Sequence, residues 1–184
     1  MGVPAYKVIL VGDPSVGKSS LIRRVLLDEF DETYCATVGV DLSAVAVNID
    51  ENTPVIITAI DLGGQEDFTA LRTQYYKGSH AALLVFDVTR PESFERLSMW
   101  YSGLVGTVKT IEGREITGFV VGNKIDMGDS RAVSREDALI FADRIGWPYV
   151  ETSAKTGENV RSLFERVAKI LFVRHPPLHR RDAG

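Results

Sequence analysis

Short runs of apolar, largely β-branched residues recur at Lys7 to Val11, Val55 to Ile60, Ala82 to Phe86, Ile116 to Val121 and Tyr149 to Thr152, each closing near Gly, Asp, Asn or Ser. Unbroken apolar runs of this length predict strands buried on both faces, as in a parallel sheet. Between them apolar residues return at helical spacing: Leu21/Ile22/Val25/Leu26, Phe94/Leu97/Tyr101/Leu104/Val108, Ala138/Phe141/Ala142/Ile145 and Val160/Leu163/Phe164/Val167/Ile170/Leu171. Leu42 to Ile49 instead alternates apolar with small or polar residues, and Asp50-Glu51-Asn52 turns the chain toward Val55, which predicts an antiparallel edge hairpin. The sum is an α/β fold in three layers. A six-stranded, mostly parallel sheet with one antiparallel edge strand carries helices on both faces, and ligand chemistry belongs in the loops after the strands.

A chain of 184 residues is near the size of one domain and buries roughly two-thirds of its surface. Apolar residues at 45% and charged residues at 25% are the balance of a folded globular protein. The formal net charge of −4 argues against nucleic acid as a partner. The single cysteine, Cys35, excludes an internal disulfide and suits a reducing, cytoplasmic compartment. No apolar run approaches the ~20 residues that span a bilayer. Residues 1–173 are expected to form the folded domain, and 174–184 a flexible tail of net charge about +2, with membrane contact at its surface left open.

Gly12-Asp13-Pro14-Ser15-Val16-Gly17-Lys18-Ser19 matches GxxxxGK[ST] between the first strand and the first helix, the context the pattern requires. Its backbone N–H groups and the helix start at Lys18, Ser19 and Ser20 suit phosphate; the Lys18 ammonium reaches β and γ oxygens, and Ser19 offers a hydroxyl to Mg²⁺. Asp61 closes the third strand, where a second metal anchor is needed. Gly63 and Gly64 leave backbone open to a γ-phosphate, and the Gln65 amide can orient water.

Asn123-Lys124-Ile125-Asp126 follows the fifth strand at the same sheet edge. The Asp126 carboxylate can accept from guanine N1–H and the 2-amino group together. Adenine offers neither donor, so two charged hydrogen bonds give discrimination on the order of hundreds-fold. Lys124 can lay its stem on the base, while Asn123 ties loops together. Ser153-Ala154-Lys155 supplies a third loop, with the Ala154 N–H available to guanine O6. Each tetrapeptide or tripeptide is weak alone. In this order, each at a strand's carboxyl end, they point to guanine nucleotide.

The chain therefore resembles the Ras superfamily of small GTPases over residues 5 to 173, most closely Rab proteins, through Thr37-Val38-Gly39-Val40-Asp41, Gln74-Tyr75-Tyr76-Lys77-Gly78, Phe86-Asp87-Val88-Thr89 and Ser93-Phe94. The resemblance implies a P-loop GTPase fold and a switch between GTP and GDP states. It puts Phe30 against guanine, Tyr34 beside the nucleotide, the Thr37 hydroxyl on Mg²⁺ with Ser19 and Asp61, and the Gly64 N–H on the γ-phosphate. Gln65, Lys18 and Gly64 are then the catalytic set. Effectors, an exchange factor and a GTPase-activating protein are implied at the two switch loops, on a monomer that is cytoplasmic or peripheral to a membrane.

Several residues depart from the Rab pattern. Pro14 fixes φ and removes a donor where a small residue is usual. Leu62-Gly63 replaces Thr-Ala and is similar to the Arf branch. Leu42 and Ile60 stand where Phe and Trp are common, and no terminal cysteine offers prenylation in this sequence. No internal arginine is evident that could serve the phosphates. Pro14 and Leu62-Gly63 motivate an alternative, a nucleotide-locked scaffold with negligible hydrolysis. A nucleoside kinase sharing the phosphate loop would leave NKID and SAK without purpose.

Overall fold

A computed structural model describes residues 2–30, 37, 39–63, 69–112 and 115–177, with the side chains of 69–71 and 110–112 undescribed. In chain order the elements are β1 (Ala5–Val11), α1 (Lys18–Leu27), β2 (Val40–Asn48), β3 (Pro54–Leu62), α2 (Thr69–Tyr76), β4 (Ala81–Asp87), α3 (Pro91–Glu95), α4 (Leu97–Glu112), β5 (Thr117–Asn123), α5 (Arg135–Ile145), β6 (Tyr149–Thr152) and α6 (Val160–Arg174). A 3-10 turn, Ile125–Ser130, follows β5.

The six strands form one sheet in the order β2-β3-β1-β4-β5-β6. Every neighbouring pair is parallel except β2 with β3, whose register sets Leu42 opposite Ile60 and Val45 opposite Ile57. The hairpin turns at the polar triplet, where the Asp50 carboxylate accepts the Asn52 N–H at 2.9 Å in an Asx turn. Strand period 2 divides the core. Tyr6, Val8 and Leu10 of β1 join Leu21, Val25, Phe164 and Val167 on one face, while Ile9 and Val11 join Leu97, Leu104, Phe141 and Trp147 on the other. Helices on both faces and one antiparallel edge are the architecture that the apolar pattern called for.

Three features differ from that pattern. Helix α2 was not apparent, because TALRTQYY lacks a continuous apolar stripe; Tyr76, 5% exposed, is its anchor in the core. The stretch from Phe94 to Val108 divides at Arg96 into α3 and α4, where the Arg96 carbonyl accepts from both Met99 and Trp100. At the far end α6 runs on through Arg174, and the Tyr6 hydroxyl donates to the His175 carbonyl at 2.7 Å, so the first residues assigned to the tail are fixed to β1. Among the described residues no helix is long and apolar enough to cross a membrane.

Candidate functional site

The loops that leave β1, β3, β5 and β6 gather at the carboxyl edge of the sheet and carry most of the described site residues; Lys18, Ser19 and Ser20 open α1, and Phe30 and Thr37 lie between α1 and β2. The phosphate loop begins where β1 ends and is shaped by backbone in the left-handed region at Gly12, Ser15 and Gly17. At Gly17, with φ +100°, a Cβ would stand 2.2 Å from Asn123 Nδ2, so packing and φ both require glycine. Lys18 opens α1, only 6% exposed, and its ammonium donates to the carbonyls of Gly12 and Asp13, both at 2.9 Å. Burial pushes its pKa down to about 8, against the opposing pull of Asp61 and Asp13. Ser20 follows on the first turn of α1, half-buried, and Val16 is fully buried in the core.

Three oxygen-bearing side chains from separate segments meet beside Lys18. Ser19 Oγ lies 2.9 Å from Thr37 Oγ1 and donates to Asp61 Oδ2, which also accepts from Thr37 Oγ1 at 3.2 Å. Asp61 is 1% exposed, and its Oδ1 has no hydrogen-bond partner among the described residues. Burial raises its pKa above the usual carboxylate range, and the Ser19 hydrogen bond works the other way. A buried carboxylate oxygen without a partner is costly. Two hydroxyls and a carboxylate are hard oxygen donors that fit Mg²⁺, whereas among the described residues no group of three His, Cys, Asp or Glu could hold a metal. Gly63 serves the same corner: its N–H donates to Gly39 O at 3.0 Å, and a Cβ there would lie 2.5 Å from Thr37 O. The glycine that departs from the Rab pattern is thus what lets the Thr37 segment close on β3.

At the other end of the site Asn123, 1% exposed, links three segments. Its Nδ2 donates to Val16 O at 2.9 Å, and its Oδ1 accepts from Thr152 Oγ1 at 3.1 Å and Ala154 N at 3.2 Å. The Ala154 N–H, which the sequence offered to guanine O6, therefore has an internal acceptor here. Ser153 is fully buried and donates to Asp126 Oδ1 at 2.5 Å while accepting the Thr156 N–H, so it aims the exposed Asp126 carboxylate. Lys124 adopts φ +69° and pairs with Asp87 Oδ2 at 2.6 Å. Phe30 is half-buried and packs against the core cluster around α1 and α6. Lys155 is exposed. Cys35, Tyr34, Gly64 and Gln65 lie outside the described residues.

Four supporting residues were not legible in sequence. Asp87 holds Lys124. Arg24 donates from Nε to Ala154 O at 2.7 Å and from Nη2 to Lys155 O at 2.5 Å. Arg90 Nη1 donates to Pro14 O at 3.1 Å, and Trp100 Nε1 donates to Asp13 Oδ1 at 2.9 Å. Each acts across a long sequence separation, where no local pattern signals the partner.

The sequence that builds this arrangement, a phosphate-type loop with a buried lysine, an oxygen cluster and an aimed carboxylate along one sheet edge, is similar to known proteins. The model described as "Ras family" matches residues 7–172. The chain belongs to the Ras family of small GTPases. It is 38% identical over 159 residues to the Ras-related protein RABD2a of Arabidopsis thaliana, an overlap of 86% of this chain and 76% of that protein. As a Ras-family GTPase of Rab-like sequence, it binds guanine nucleotide as the family does.

Proposed function

We propose that this Ras-family chain is a Rab-like molecular switch that binds GTP and GDP at the carboxyl edge of its sheet and hydrolyses GTP slowly with Mg²⁺. The observation that carries the reading is the convergence of Ser19, Thr37 and Asp61 beside Lys18, with one buried Asp61 oxygen lacking a partner among the described residues. Mg²⁺, when bound there, would offset charge on the β and γ oxygens. Lys18 holds the same oxygens from the loop side, its burial strengthening the attraction. Asp126 takes guanine N1–H and the 2-amino group, Lys124 covers the base, and Phe30 and Tyr34 border it. Gly64 donates to the γ-phosphate and Gln65 orients the attacking water. Thr37 belongs to the GTP state, so loss of the γ-phosphate releases its loop.

The switch occupies one domain that ends near His175, followed by a basic tail. Its Rab likeness supports a role in membrane traffic on the cytoplasmic side, as a monomer met by effectors, an exchange factor and an activating protein at the switch loops. Single-turnover hydrolysis tests the enzyme. We expect phosphate release at roughly 10⁻⁴ to 10⁻² s⁻¹ that needs Mg²⁺ and slows at least about tenfold in Gln65→Leu. Tight GTP binding without phosphate release would instead mark a locked scaffold. That alternative is motivated by Pro14, which fixes φ and lacks a backbone donor in the phosphate loop, and by Leu62-Gly63. Transfer of phosphate to an acceptor other than water would contradict both.

A further inference from the structure

Asp13 faces two ways. Its backbone carbonyl looks into the phosphate loop and accepts the Lys18 ammonium, while its carboxylate leaves the loop for α4. There Oδ1 accepts the Trp100 indole N–H at 2.9 Å and Oδ2 lies 3.5 Å from Arg96 Nη1. Asp13 is 2% exposed and Trp100 4%, so the carboxylate is buried next to a loop whose task is to attract anions. Left without those donors, it would turn toward Lys18, competing with phosphate for the ammonium and repelling the ligand. The ring of the same indole is occupied as well. The Arg72 guanidinium of α2 stands 4.8 Å from the ring centroid, and a cavity of about 490 Å³ bordered by Arg72, Tyr76, Met99 and Gly103 gives α2 room to shift.

We propose that Trp100 is a positioning residue of the phosphate site: its indole N–H holds the Asp13 carboxylate off the phosphate cradle, and its ring seats Arg72, so that the phosphate loop and α2 share one side chain. The inference rests on the nucleotide-binding reading above. Trp100 touches no substrate in this scheme. It acts through Asp13 on affinity and through Arg72 on the helix that follows the Gly64–Gln65 loop. The indole is required because it alone offers a buried N–H donor on a flat apolar ring; phenylalanine keeps the ring and loses the donor.

The test is the release rate of fluorescent GDP and of a fluorescent non-hydrolysable GTP analogue from wild type, Trp100→Phe, Asp13→Ala and the double variant. Trp100→Phe is expected to speed release about tenfold or more, the loss of one charge-assisted hydrogen bond. In the Asp13→Ala background the same change should alter release less than about twofold, because no charge is left to hold. Equal acceleration in both backgrounds, or none in either, would overturn the proposal. The α2 half is read optically, since the chain has two tryptophans and Trp147→Phe leaves Trp100 alone. Its emission should differ between the GDP and analogue states, and Arg72→Ala should remove the difference; identical emission in the two states would sink this half. Should Trp100→Phe fail to fold, Trp100→Leu takes its place in the same release assay, with the same expected and overturning results. Failure of wild type to retain fluorescent GDP would overturn the nucleotide reading, whereas retention with an unaffected Trp100→Phe overturns only the role given to Trp100.

Discussion

The two ends of the site are built by opposite means. At the phosphate end the charged groups are inside the protein, Lys18 at 6% and Asp61 at 1% exposure, and the loop is shaped by backbone at Gly12, Ser15 and Gly17. At the other end the carboxylate we propose for guanine, Asp126, is at the surface and is aimed by buried neighbours, Ser153 directly and Asn123 through the loops it joins. Burial makes charge strong toward a ligand and costly without one. Exposure makes a carboxylate cheap to keep, and its value lies in direction. The phosphate end should therefore trade stability for affinity, while the base end should set specificity at little cost to the fold.

The largest expected effect follows from Lys18→Met, which removes the buried ammonium. Affinity for fluorescent GDP should fall by about a thousandfold. Thermal unfolding of the unliganded protein should hold or rise, because a desolvated charge is gone; a drop in both would place Lys18 in the fold rather than in the site. Asp126→Asn comes next. Its preference for GDP over ADP in competition binding should shrink by about a hundredfold with the melting temperature nearly unchanged. An equal loss for both nucleotides would contradict the surface-clamp account.

Asn123→Ala should erase the contrast between the two ends, because its amide serves the phosphate loop through Val16 and the base loops through Thr152 and Ala154. We expect about 2–3 kcal/mol of lost stability in denaturant unfolding together with weaker GDP binding. The smallest effect is a pH dependence. Lys18 has a folded-state pKa near 8, below its ordinary 10.5, so its buried charge penalises the unliganded fold below pH 8 and that penalty is relieved as pH rises toward 10.5. Affinity runs the other way: GDP binding should weaken about tenfold between pH 7 and 9 as the ammonium loses its proton, measured against a flatter profile in Lys18→Met.

The same division explains what the sequence disclosed. The strands and the phosphate loop were legible because both are local: a buried parallel strand is a β-branched run, and GxxxxGKS constrains backbone within eight residues. Asp61 could be placed because it ends such a strand. Helix α2 was missed because its hold on the core is Tyr76 rather than a periodic stripe, and the break at Arg96 was missed because the apolar spacing continues across it. The supporting contacts, Asp13 with Trp100 and Lys124 with Asp87, were invisible, since they pair residues 87 and 37 positions apart. The Ala154 amide was offered to the base from motif order alone, and only the folded arrangement gives it Asn123 as an acceptor. Of the departures, Gly63 has a use that its sequence context did not disclose, the close approach of Thr37 O.

We propose that one sheet edge joins a buried phosphate cradle to a carboxylate that reads guanine. The most direct measurement is to denature the purified protein, after incubation with an equal mixture of GDP and ADP and removal of excess, and to identify the released nucleotide by chromatography. GDP is expected at about one per chain with almost no ADP; equal amounts of the two, or neither, would rule out a guanine-reading site at this edge.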